Sequence, residues 1–153
     1  MAEDMTFLPK AHILRLEEIY LIAKVFTELG VAKIRVTGGE PLVRRGALDL
    51  LAQLGQLPQL RELVLTTNGS QLAKTAPALK AAGVKRLNIS LDTLNPERFR
   101  HITRTGDLKT VLAGIETARQ VGFERIKLNA VILKNRNHDE VVDLVRFAIA
   151  HDL

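Results

Sequence analysis

The feature that most constrains this chain is a regular exchange between two hydrophobic periods. Apolar residues at Leu16, Ile19, Tyr20, Ala23, Phe26 and Leu29 have helical spacing, and Val31 to Thr37 then alternates with the period of a strand. The exchange continues along the chain. Glu62 to Thr67, Lys85 to Leu91 and Arg125 to Leu133 read as strands. Ala47 to Leu54, Gln71 to Ala82, Asp107 to Val121 and Asp139 to Ala150 read as helices. A further short helix is predicted after Asn95, whose side chain can cap it, with Pro96 at its first position. Gly30, Gly83 and Gly122 each stop a helix just ahead of a strand. Strands that alternate with helices in this way imply βαβ units and a parallel sheet. No linker or low-complexity stretch interrupts the pattern, so residues 1–153 are expected to form a single domain.

The strands are unusual in having one polar face. Parallel strands buried on both sides read as continuous apolar runs. Here Ile34 and Val36 oppose Lys33, Arg35 and Thr37, and Leu63 and Leu65 oppose Val64, Thr66 and Asn68. In the same way Leu87, Ile89 and Leu91 oppose Arg86, Asn88, Ser90 and Asp92. The last strand sets Ile126, Leu128, Ala130 and Ile132 against Arg125, Lys127, Asn129 and Val131. An open doubly wound sheet needs apolar residues on both faces. A polar concave face fits an α/β fold of another kind, a partial TIM-like β/α barrel of about four parallel strands whose interior binds a ligand. Charges at strand starts, such as Arg86, Arg125 and Lys33, can simply reach solvent. Arg35, Thr66, Asn88, Ser90, Lys127 and Asn129 lie mid-strand or toward the C-terminal ends, where α/β proteins bind ligands. Arg35 and Lys127 place positive charge in what is expected to be a confined, partly desolvated space. With Asn, Ser and Thr beside them they suit an anionic, oxygen-rich ligand such as a nucleotide.

Composition removes several other classes. There is no cysteine among the 153 residues, so no thiolate metal site, cluster or cysteine nucleophile can be built from them. The net charge of +5 is scattered and aromatics are only 4%, unlike the clustered basic stripe and stacking rings of a nucleic-acid binder. No apolar run reaches the roughly 18 residues of a membrane span, which leaves a cytoplasmic protein as the expectation. His12, His101, His138 and His151 lack metal-ligand spacing, no metal site is expected, and Arg98, Arg100 and Arg104 read as a solvated helix face. There is no GxGxxG, GxxxxGK[ST] or GxSxG motif. The turn Thr37-Gly38-Gly39-Glu40-Pro41 follows a strand, lets the backbone approach a ligand, and adds a carboxylate able to hold an ammonium group. A plain tight turn is the commoner use of two glycines.

Four segments occur in order: Lys33-Ile34-Arg35-Val36-Thr37-Gly38-Gly39-Glu40-Pro41-Leu42, Thr66-Thr67-Asn68-Gly69, Asn88-Ile89-Ser90-Leu91-Asp92 and Lys127-Leu128-Asn129. Together with Phe7-Leu8-Pro9 and Arg44-Arg45, they strongly resemble the radical S-adenosylmethionine enzymes. Within that superfamily they are most similar to the family of GTP 3′,8-cyclases of molybdenum cofactor biosynthesis. The resemblance implies an S-adenosylmethionine site at Gly38, Gly39, Glu40 and Ser90. It implies GTP contacts at Arg35, Thr66 and Lys127, with Lys33 a weaker candidate. It implies radical chemistry initiated by a 4Fe–4S cluster, in which hydrogen is taken from the GTP ribose and the ribose carbon closes onto guanine, and it allows a homodimer. No residue of this chain is expected to be catalytic in its own right.

The resemblance also implies elements that these residues do not supply. A CxxxCxxC motif is expected immediately before the segment aligned with Met1 to Met5, and further strands with a second cluster's cysteines after Leu153. On that expectation the chain is the central part of the enzyme and cannot make the radical unaided. Two alternatives stay open: a cluster-less nucleotide-binding module, and a radical S-adenosylmethionine enzyme with a different substrate.

Overall fold

The computed structural model describes residues 12–153; the Phe7-Leu8-Pro9 segment lies outside them. Among the described residues six helices and four strands follow one another, with two helices in succession between β3 and β4: α1 (Leu16–Glu28), β1 (Lys33–Val36), α2 (Ala47–Gly55), β2 (Glu62–Thr67), α3 (Leu72–Ala81), β3 (Val84–Ser90), α4 (Pro96–Thr103), α5 (Leu108–Val121), β4 (Arg125–Asn129) and α6 (Val141–Ala150). Short 3-10 turns at Pro41–Val43 and His138–Glu140 precede α2 and α6. The four strands form one parallel sheet in the order β1-β2-β3-β4. Strand order that follows chain order, with no reversal, is the progression of a β/α barrel rather than of a doubly wound sheet.

The two faces of the sheet separate by polarity as the alternation requires. Leu63, Leu65, Leu87, Ile89, Leu91 and Ile126 are buried against Leu51 and Leu54 of α2, Leu72 and Leu79 of α3, Val111 and Ile115 of α5 and Leu144 of α6. On the other face Arg35, Ser90, Lys127 and Asn129 are exposed, and Thr66 and Asn88 half-buried. The polar face is therefore open. The confinement expected around Arg35 and Lys127 is not found among the described residues, where both side chains are exposed and four strands are too few to close a barrel.

The short helix predicted after Asn95 is present, and the Asn95 side chain accepts from the N–H groups of Glu97 and Arg98. Gly122 ends α5 with φ 77°, a conformation that a side chain disfavours, and its N–H donates to the carbonyls of Ala118 and Arg119. Several boundaries shift by one residue, and three differ from the sequence reading by two or more. β1 begins at Lys33 rather than Val31, and α6 begins at Val141 because Asp139 and Glu140 belong to a 3-10 turn. β4 stops at Asn129 rather than Leu133: beyond it the Val131 N–H donates to the Asp92 carboxylate and the Leu133 N–H to the Asn137 side chain. Side chains there replace the main-chain ladder, and the apolar alternation carries no sign of that exchange. No helix among the described residues is long and apolar enough to cross a membrane.

Candidate functional site

The C-terminal ends of the strands bring most of the sequence-predicted residues together. Register places Arg35 beside Val64, Thr66 beside Asn88, Asn88 beside Lys127 and Ser90 beside Asn129. The side chains thus form a continuous strip across all four strands. Its first link is direct: Arg35 Nη1 donates to Thr66 Oγ1 at 3.3 Å. The exposed guanidinium has further donors beyond the one given to Thr66, and Lys127 adds a flexible ammonium on β4.

The Gly38-Gly39-Glu40 turn flanks this strip. Among the described residues, a Cβ on either glycine would meet no heavy atom within 4 Å beyond its chain neighbours, which leaves the backbone there open to close approach by a ligand. Glu40 is held in place from two elements. Its Oε1 accepts from the Leu42 N–H at 3.0 Å and its Oε2 from the Asn68 N–H at 2.6 Å. The Thr67 hydroxyl reaches both oxygens, at 2.9 and 3.0 Å, while its own oxygen accepts from the Gly69 N–H at 3.1 Å. A carboxylate offers about four acceptor positions, and three donors occupy this one. The remaining position suits a cationic donor such as an ammonium group.

Lys33 does not join the strip. It lies at the start of β1, where its Nζ pairs with Glu62 Oε1 at 3.1 Å, and the same oxygen pairs with Arg86 Nε at 3.0 Å. A concavity of about 560 Å³ near that end of the sheet is lined by Arg86, Arg119, Arg125 and His151 among others, and none of the predicted ligand-binding residues reaches it.

Sequence reasoning missed a second polar cluster, at the ends of β3 and β4. Thr93 and Asn137 are fully buried and Glu140 nearly so. Thr93 Oγ1 donates to the Glu140 carboxylate at 2.6 and 2.8 Å, and the Leu94 N–H donates to it at 2.8 Å. Arg98 Nη1 reaches the same carboxylate at 2.8 Å and forks onto Asp139 at 2.7 and 2.9 Å. Arg98 is therefore an ion-paired anchor, which corrects its reading as part of a solvated face. Burial pushes the Glu140 carboxyl up, but the Thr93 hydroxyl, the Leu94 N–H and Arg98 together outweigh it and leave the group below its ordinary value. The Arg98 fork likewise holds Asp139 low. The signal available in the sequence was a pair of polar residues three apart, Asn137 and Glu140, just before a helix. Among the described residues, no group of three or more His, Asp or Glu side chains could hold a metal ion.

A parallel sheet that winds in chain order, with a Gly-Gly-Glu turn after its first strand and a polar strip at the strand ends, defines a protein of the β/α-barrel class. The chain belongs to the radical SAM superfamily, whose family model matches residues 2–148. It is 64% identical over 153 residues to the GTP 3′,8-cyclase of Pseudomonas entomophila, and 61% identical to that of Pseudomonas putida. It is 58% identical to GTP 3′,8-cyclase 2 of Pseudomonas aeruginosa. Each alignment covers 100% of this chain and 46% of the relative, so the chain spans about half the length of these proteins. Among solved structures it is similar to coproporphyrinogen III oxidase from Escherichia coli, described as a radical SAM enzyme. That similarity has a TM-score of 0.55 at 19% identity over 83% of this chain and 34% of the other, and it supports the fold alone.

Proposed function

We propose that these residues form the nucleotide- and cofactor-holding part of a cytoplasmic GTP 3′,8-cyclase, the enzyme that converts GTP to a cyclised pterin precursor in molybdenum cofactor biosynthesis. The observation that carries the reading is the strip Arg35, Thr66, Asn88, Lys127 lying beside the Gly-Gly-Glu turn on one open sheet face. Arg35 and Lys127 supply the positive charge that a triphosphate or an electron-rich guanine requires, and Thr66 orients the Arg35 fork. At the neighbouring turn, Gly38 and Gly39 give backbone access and Glu40 keeps one acceptor position for an ammonium group. Ser90 adds an exposed hydroxyl at the end of β3. This donor set fits the amino-acid end of S-adenosylmethionine, which supplies the hydrogen-abstracting radical chemistry when bound and reductively cleaved. The cluster is a different matter. With no cysteine among them, the 153 residues offer no thiolate for a 4Fe–4S group.

Titration calorimetry of the chain with GTP and, separately, with S-adenosylmethionine tests the assignment. Arg35→Glu combined with Lys127→Glu should abolish GTP binding and leave S-adenosylmethionine binding within about twofold. Glu40→Gln and Ser90→Ala should weaken S-adenosylmethionine by about tenfold and spare GTP, since each removes one hydrogen bond to a charged or polar ligand group. GTP binding that survives the double charge reversal refutes the strip as its site. S-adenosylmethionine binding without GTP binding favours a sibling enzyme with another substrate. GTP binding alone favours a plain nucleotide-binding module.

A further inference from the structure

The ladder between β3 and β4 ends at the ligand side, and side chains carry the pairing onward. The last main-chain link is the Leu91 N–H donating to the Asn129 carbonyl at 2.9 Å, next to the Ser90–Asn129 pair. Beyond it Asp92 Oδ1 accepts the Val131 N–H at 2.8 Å. Asn137 Nδ2 donates to the carbonyls of both Asp92 and Val131, at 2.7 and 2.9 Å, and its Oδ1 accepts the Leu133 N–H at 2.7 Å. Both amide hydrogens and the amide oxygen of this buried side chain are thus committed to holding two chain segments at one spacing.

Glu140 then fastens the same loop from the other side, through Thr93, Leu94 and Arg98. Its geometry repeats that of Glu40. In both places a carboxylate takes a threonine hydroxyl on both oxygens and the N–H of the following residue, while the hydroxyl oxygen accepts the N–H two residues on. At Glu140 a cation, Arg98, completes the set. The two clamps lie at the ligand end of the two central strands, one at the end of β2 and one just past the end of β3. A network of this kind costs desolvation that an apolar contact of the same shape avoids, so its return lies in fixing one geometry rather than in bulk stability.

We infer that Asn137 and Glu140 are positioning residues that fix the spacing and orientation of Ser90 and Asn129 at the S-adenosylmethionine subsite, Glu140 acting through Thr93. The inference rests on the reading of Ser90 given above. Neither residue contacts the ligand; each acts through the loop that follows β3.

Three variants of the 153-residue chain test it: Thr93→Val, which removes the hydroxyl at nearly constant shape, Thr93→Ser, which keeps it, and Asn137→Asp. Calorimetry should show S-adenosylmethionine binding about tenfold weaker in Thr93→Val, within twofold of the parent in Thr93→Ser, and GTP binding within twofold in both, the size expected for an outer-shell partner. Equal loss of both ligands, an equally weak Thr93→Ser, or an unchanged Thr93→Val overturns the inference. Amide hydrogen exchange gives an arm that needs no ligand. Val131 and Leu133 should exchange at least tenfold faster in Asn137→Asp and Thr93→Val while Leu63 to Leu65 keep their protection, and unchanged rates at Val131 and Leu133 overturn it. A parent chain that binds no S-adenosylmethionine but shows the exchange pattern refutes the reading of Ser90, and with it the ligand half of the inference.

Discussion

Thr67 and Thr93 do the same work at the ends of neighbouring strands, and the carboxylate that Thr93 holds, Glu140, is also paired by Arg98. Glu140 is nearly buried and is drawn below its ordinary value despite that burial. Its unfolded-state affinity for protons is the higher one, so its contribution to stability is fully present above the unfolded pKa and is lost as pH falls through the folded value. Asp139, held low by Arg98, titrates in the same acidic window but is exposed, so its contribution is smaller. Glu140→Gln should therefore destabilise the chain by about 1–3 kcal/mol at neutral pH, the range for lost hydrogen bonds to a buried charge. The gap should close as the pH is lowered below that window. Urea denaturation of both forms along a pH series measures it. A constant gap across the series would show that the carboxylate's charge is not what the clamp uses.

A glycine in α5 lets that helix come close to the turn between β2 and α3. A Cβ on Gly114 of α5 would lie 2.8 Å from the Gly69 carbonyl oxygen and 2.9 Å from Leu72 Cβ, so α5 packs directly on the turn that leads from β2 into α3. That turn is the one Glu40 grips through Thr67 and Asn68. Gly114→Ala should cost about 1–3 kcal/mol as an overpacking change, despite alanine's better helix propensity, and should also weaken ligand binding at the Gly-Gly-Glu turn. A thermal melt with calorimetry on the same sample tests both halves. The order and type of the strands and longer helices were legible in hydrophobic period, because each strand has an apolar face and each of these helices an apolar stripe; α4 was legible from its Asn95-Pro96 start, and the two 3-10 turns were not legible. Arg35, Thr66, Ser90 and Lys127 were legible for the same reason, as polar residues where apolar ones were due. The clamp residues Thr93, Asn137 and Glu140 were not. They sit in loops without period, and a buried hydrogen-bonded polar side chain looks in sequence like a solvated one. The early end of β4 was hidden in the same way, since Ala130 and Ile132 continue the alternation after side chains have taken over the pairing.

For the molecule as a whole, the polarity of the sheet divides stability from binding. The sheet side chains of the core cluster pack against the helices on one face, and the other face, apart from the buried Val64, carries charged, hydroxyl and amide groups that lie outside that cluster. Adjacent residues of one strand should therefore answer to different measurements. Leu87 is fully buried beneath the helices, and Asn88, the next residue, is half-buried in the strip between Thr66 and Lys127. Leu87→Ala should cost about 2–5 kcal/mol, through lost burial and the cavity left in a packed layer. Asn88→Ala should change stability by less than about 0.5 kcal/mol, as for a surface substitution that leaves no buried group unpaired. In GTP titrations the ranking should invert: at a temperature where both variants are folded, Asn88→Ala should bind GTP several-fold more weakly and Leu87→Ala should bind it like the parent. Chemical denaturation and calorimetry on the two proteins decide the point. If Asn88→Ala unfolds as readily as Leu87→Ala, the polar face is part of the core and the open-face reading of the site fails.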